Sequence, residues 1–375
     1  MDEDALLGLL SKEKKKEFLR EKASRLRQVE AEFEKGKNDL LKRFDIQLET
    51  DKRHRDMVNC CIFPFSSKVS QKLTDYRFAR ASPLSELDRS KNMDFMLQKR
   101  KLNKASLIFG ECKGGDRDAA DKVKEVLKKV EAVEDNLDHV AKTYVGLPRK
   151  EDIVVEYTIV VPEREGPRVI NEVIDQGGRL IVWTVPLTGK AILRSQPPHR
   201  SLPNTEGMKH KDAKLKRLLD RGITTDARSF ALLPDMPAVL EQMVLIQVLG
   251  GQEGNERTID KTALNELLGI ELFYLDEAAR TKKAEDILIR GKEIGFVKED
   301  KDTGQLRVVA KSSSIDKIEQ SLIDKWVADW LKGKLREIKD KAVQQLVADW
   351  LQKERRPGES LDYYLSNERK QQVGG

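Results

Sequence analysis

The chain predicts an α/β protein: a mixed sheet flanked by helices, followed by a smaller helix-rich module, with helical arms at both ends. Three observations lead there. Two apolar runs, 93–98 and 105–112, are rich in residues that suit strands and are joined by a short polar link, as in a hairpin. Downstream, helix-spaced and strand-like segments alternate as far as Val185. Charged segments with helical spacing lie near either end.

The first of these segments covers 12–57, where Leu19, Leu26, Phe33 and Leu40 recur every seventh residue. Lys22, Val29, Gly36 and Arg43 fill the second seam, which favours a packing helix or short coiled coil over a long two-stranded coil. The basic run 12–16 reads as a solvated face. The stretch 58–89 is weakly patterned, with one expected strand at 58–63 that would bury Cys60 and Cys61.

After the hairpin, Gly114 and Gly115 break the strand, and Ala119, Val123, Val126, Val130, Val133, Leu137 and Val140 follow helical spacing. A strand at 153–161 ends at Pro162, a helix at 168–176 stops at Gly177 and Gly178, and a buried strand at 180–185 ends at Pro186. Between 187 and 234 the apolar content falls and basic residues collect, which reads as a linker. His199 and His210 stand alone there, so structural or exposed roles are expected of them.

Beyond Pro234 come helices at 236–249, 262–268 and 275–290, then a hairpin, 296–298 with 306–310, around Asp302, Thr303 and Gly304. The tail carries Val327-Ala328-Asp329-Trp330-Leu331 and repeats it as Val347-Ala348-Asp349-Trp350-Leu351. Gly333 offers a break between two helices that would pack together or pair with another subunit, with the tryptophans as anchors. The expected domains are therefore an arm at 1–57, a core at 58–190, a basic linker at 191–233, a module at 234–311 and a helical region at 312–375.

Length allows two or three domains with their own cores. Charged residues make up 36% of the chain but the net charge is only +6, so any basic surface must come from local clusters. Three cysteines without zinc-type spacing point to a reducing compartment and no zinc site. Neither a signal peptide nor a bilayer-length apolar run is evident, so a cytoplasmic or nucleoid-associated protein is expected, with no membrane partner.

The chemistry gathers at the hairpin. Asp94 opens one strand, and Glu111 and Lys113 close the other on a single face, since strand side chains alternate with period two. Two carboxylates make a hard oxygen site for Mg2+, with Mn2+ as a substitute, and the backbone carbonyl of Cys112 is an expected third metal ligand. Lys113 would orient water or offset charge on phosphate. A surface carboxylate paired with a lysine is the plainer alternative, and the succession of elements after the hairpin favours catalysis over it.

Asp94 with Glu111-Cys112-Lys113 resembles the Asp and Glu-x-Lys signature of the PD-(D/E)XK, or restriction-endonuclease-like, nuclease superfamily, over 92–185. Met93 stands where the signature's name gives proline. The resemblance implies a Mg2+-dependent phosphodiesterase with Asp94, Glu111 and Lys113 as catalytic residues. The order of elements over 234–311 also resembles a winged-helix module. That resemblance would bring Arg280, Thr281, Lys282 and Lys283 to DNA, with Lys298, Lys301 and Arg307 on the wing. Together they imply an endonuclease acting on double-stranded DNA, and a homodimer where two strands are cut. The alternatives are a non-catalytic DNA-binding or chromosome-associated protein with a nuclease-like scaffold, and an RNA-processing nuclease.

Overall fold

The computed structural model describes residues 3–65, 74–84, 87, 92–114, 118–186, 192–196, 206–224, 243–248, 258–271, 276–309 and 314–354. The chain divides into two compact units, Met1–Asp45 with Ile323–Gly375, and Ile46–Leu322.

The larger unit is built on a seven-stranded mixed sheet whose strands lie side by side in chain order. Strands β1 (Arg77–Ala81), β2 (Phe95–Lys101) and β3 (Lys104–Cys112) form an antiparallel meander, and β4 (Ile153–Pro162) and β5 (Ile181–Val185) run parallel to β3. Strands β6 (Ile192–Ser195) and β7 (Ile223–Thr224) extend it antiparallel beyond β5, with β7 at the edge. The hairpin is tighter than the sequence suggests: pairing continues to Lys101 and Lys104, leaving Leu102 and Asn103 as the turn, with Leu102 at φ 49°.

Parallel strands need helical crossovers that bury both sheet faces, which is why Tyr157–Pro162 and all of β5 are buried. Crossover helix α3 (Ala119–Asp135) presents Val123, Val126, Val130 and Val133 to Leu107, Phe109, Ile159 and Val161. A π-helical turn, Val140–Val145, ends at Gly146, whose φ of 68° suits glycine. Helix α4 (Gly166–Asp175) follows β4.

Two local expectations change. The strand expected at 58–63 is instead the end of helix α2 (Lys12–Ile62), which turns through Phe63–Phe65. Short apolar runs fit either state, and this one is buried as a helix end. The described part of 191–233 is no linker: it supplies β6, β7 and helix α5 (Ala213–Arg221), with Leu215 and Leu219 buried. His210 is buried there. Its Nδ1 lies 2.6 Å from Glu156 Oε2, and its Nε2 accepts from the Trp183 indole at 2.9 Å. His199 lies outside the described residues.

Further along, α6 (Val244–Val248), α7 (Lys261–Glu271) and α8 (Glu277–Glu293) accompany a three-stranded sheet. Its order is β8 (Thr258–Ile259), β10 (Leu306–Val308), β9 (Val297–Glu299). Most of the helix expected at 236–249 lies outside the described residues.

In the smaller unit, helix α1 (Glu3–Leu9) and the early part of α2 pack against the later part of α9 (Ile315–Glu354). The pairing is antiparallel: Trp350 Nε1 donates to Glu21 Oε2 at 2.8 Å, Lys339 pairs with Glu30, and the Phe44 and Trp330 rings lie 5.3 Å apart. The expected break at Gly333 is absent, because nothing there competes with the helix. The heptad phase also shifts. Leu19 is 48% exposed while Phe18, Val29 and Phe33 are buried, and Phe44 meets Trp330. Phe18 and Val29, like Phe33 and Phe44, are eleven residues apart, a spacing closer to the natural 3.6 per turn than a heptad is. No described helix is long and apolar enough to cross a membrane.

Candidate active site

Asp94 immediately precedes β2, and its backbone is fixed where the Ser82 N–H donates to its carbonyl at 3.0 Å. Phe95 pairs with Gly110, so Asp94 falls opposite Glu111 near the carboxyl end of β3. The two strands meet closely because Gly110 has no side chain: a Cβ there would lie 2.0 Å from the Phe95 ring. That ring is held in turn by Trp183, 6.0 Å away between centroids.

The ladder continues one step past β3, since the Lys113 N–H donates to Val160 O at 2.8 Å. Period-two alternation therefore holds, and Lys113 Nζ lies 2.8 Å from Glu111 Oε1. The three residues expected to act together are brought together. Cys112 contributes its backbone N–H as well, which donates to Asp94 Oδ2 at 2.6 Å, and its side chain is buried.

Three further groups complete the cluster. His54, on α2, places Nε2 3.2 Å from Asp94 Oδ1. Lys129, on α3, pairs with Glu111 Oε1, and Glu125, one turn earlier, accepts from Lys113 at 2.7 Å. Sequence reasoning missed all three. Lys129 and Glu125 share a face of α3 at i, i+4, but charged pairs of that spacing abound in this chain.

Electrostatics set the two carboxylates apart. Burial alone would raise the Asp94 carboxyl, yet the charge and hydrogen bond of His54, with the Cys112 N–H and the Lys129 charge, together hold the group below the usual carboxylate range. Burial, with the Asp94 charge added, pushes Glu111 up despite Lys113 and Lys129. Asp94 raises the His54 imidazole against the effect of burial. Burial would lower Lys113, but Glu111 and Glu125 hold it up. Burial, followed by the Cys61 thiol, raises Cys112 well above the ordinary thiol range, which leaves it un-ionised.

Glu111 is 2% exposed, and among the described residues its Oε2 has no hydrogen-bond partner. A buried acceptor left open costs free energy unless something occupies it, and a cation beside an ionised Asp94 would do so. Asp94 and Glu111 are the residues here that could hold a hard divalent ion. No cluster of three or more His, Cys, Asp or Glu side chains suited to a metal occurs among the described residues, so such an ion would rest on two side chains.

The other expected binding residues lie on the smaller module. Arg280, Thr281, Lys282 and Lys283 share the first turns of α8, which Asp276 caps by accepting from Ala279 N at 2.8 Å. Thr281 Oγ1 is already used, donating to Glu277 O at 2.9 Å. On the hairpin Lys298 pairs in register with Arg307, Lys298 and Lys301 are exposed, and Arg307 lies 3.4 Å from Asp300. No family model, curated protein or solved structure matches this chain.

Proposed function

We propose that the protein is a metal-dependent endonuclease that hydrolyses phosphodiester bonds in double-stranded DNA. The observation that favours this most is the convergence of Asp94, Glu111 and Lys113 at the end of a parallel strand, with one oxygen of Glu111 buried and open. Mg2+, or Mn2+ in its place, would be held by Asp94, Glu111 and the Cys112 carbonyl, and supplies a polarised phosphoryl oxygen and an acidified water. The chain's own groups do the remaining work. Cys112 N–H and His54 fix Asp94 in its ionised form. Lys113, charged and anchored by Glu125, is positioned to orient the attacking water or meet charge on the phosphate. Helix α8 and the β9–β10 hairpin, in a winged-helix-like order, would hold the duplex through Arg280, Lys282, Lys283, Lys298 and Lys301.

The test is cleavage of supercoiled plasmid with Mg2+ or Mn2+, beside Asp94→Asn and Lys113→Ala. The expected result is nicking or linearisation by the wild type and a loss of at least ~100-fold in either variant. A second reading, a non-catalytic DNA-binding protein on a nuclease-like scaffold, is favoured by one fact: both lysines already engage Glu111 Oε1. Wild-type protein that binds duplex DNA but cuts no form of it with either ion would decide for that reading.

A further inference from the structure

We propose that an open trough over β1 and β2, lined by Thr74, Asp75, Arg77, Gln98, Arg100 and Lys101, is a second binding site for the phosphodiester backbone of duplex DNA. The choice of DNA rests on the nuclease reading, whereas the site itself is tested by binding alone.

The trough has a volume of about 700 Å3 and gathers three cations against one carboxylate. That carboxylate, Asp75, is met by Lys99 at 3.2 Å, so the trough's own cations stay in excess. Among the described residues neither Arg77 nor Lys101 forms an ion pair. Arg100 is held in place, donating from one guanidinium nitrogen to Val145 O at 3.0 Å and keeping its remaining donors for a ligand. Next to it, the Arg80 guanidinium lies 4.2 Å over the Tyr144 ring.

Register sets the direction of the trough. Arg77 pairs with Gln98, Arg80 with Met96 and Arg100 with Ala105. Met96 and Ala105 belong to the core beneath α3, so Arg77, Arg80, Gln98 and Arg100 share the sheet face of Asp94 and Glu111. A bulge at Ala79, between the paired Phe78 and Arg80, changes the aim of the edge strand beside the site. Arg100 lies six residue steps beyond Asp94, roughly 20 Å along extended chain. At about 3.4 Å per base step, that is about six base pairs of one continuous duplex. Guanidinium forks suit phosphate oxygens at this distance, and polar Thr74 and Gln98 add donors without reading bases.

The experiment measures anisotropy of a labelled 20-base-pair duplex in EDTA, where no cleavage occurs, for wild type, Arg77→Gln/Lys101→Gln and the conservative Arg77→Lys/Lys101→Arg. The expected glutamine variant binds at least ~10-fold more weakly at moderate salt, and its slope of log K against log salt is shallower by about two. The conservative variant keeps the wild-type slope, which excludes a folding defect at these positions. Unchanged affinity and slope in the glutamine variant would overturn the proposal even if plasmid is cleaved. Equal competition by an RNA duplex would overturn the choice of DNA. Weakened binding in a protein that never cuts plasmid would keep this site and discard the nuclease reading.

Discussion

His54 Nε2 stands 3.2 Å from Asp94 Oδ1, so a residue of the long helix α2 governs the charge of a residue that opens a sheet strand. Because the folded imidazole titrates above its ordinary 6.5, its stabilisation is complete below that pH and is lost as pH rises through the folded value. Urea midpoints in EDTA should therefore differ between wild type and His54→Ala most at pH 6, and the gap should narrow by pH 9. A gap independent of pH would mean that His54 contributes packing alone.

Gly110 is the point of closest approach between β2 and β3. Gly110→Ala puts a methyl into the Phe95 ring, which Trp183 keeps from moving away, and should cost about 1–3 kcal/mol. Chemical denaturation gives the number. Near-ultraviolet circular dichroism should report the displaced Trp183.

Lys129 opposes the burial that pushes Glu111 up. In Lys129→Met the carboxyl should rise further, so the acid limb of the pH profile for plasmid cleavage should move to higher pH while the alkaline limb stays. An unmoved acid limb would separate Glu111 from that limb.

Gly333 lies inside an unbroken helix, and apart from the helix's own adjacent backbone no described atom comes within 4 Å of where a Cβ would sit. Gly333→Ala should stabilise the smaller unit by about 1 kcal/mol, since alanine removes the entropic cost of glycine without a clash. Thermal melting of the variant checks this.

Strands β2 to β5 were legible because each contains an apolar run, with Gly or Pro marking the ends of β3, β4 and β5, whereas β1, β6 and β7 were not, since they are short and β1 alternates with arginine. Asp94, Glu111 and Lys113 could be found because period-two alternation fixes which side chains meet. His54 could not, since its contact spans 40 residues and nothing in a charged helix marks one turn above another. The phase of α2 was hidden too. Phe18 and Leu19 are neighbours of like hydropathy, and only the packed partner decides that Phe18 turns inward. The order of helices and hairpin in the smaller module was readable from caps and turns, but the partners of Arg307 and Thr281 were not, because both are local choices among many nearby carboxylates and carbonyls.

The antiparallel pairing of α2 with α9 also bears on how the chain folds. Glu21 meets Trp350 and Glu30 meets Lys339 across 329 and 309 residues, so apart from the α1 contacts with the start of α2, such as Lys22 with Glu3, the unit depends on long-range pairing. During synthesis the face of α2 that α9 covers stays open until α9 has been made. Refolding should then be biphasic, with the sheet unit forming first and the arm closing in a slower step, read by Trp350 fluorescence in a variant lacking the other tryptophans.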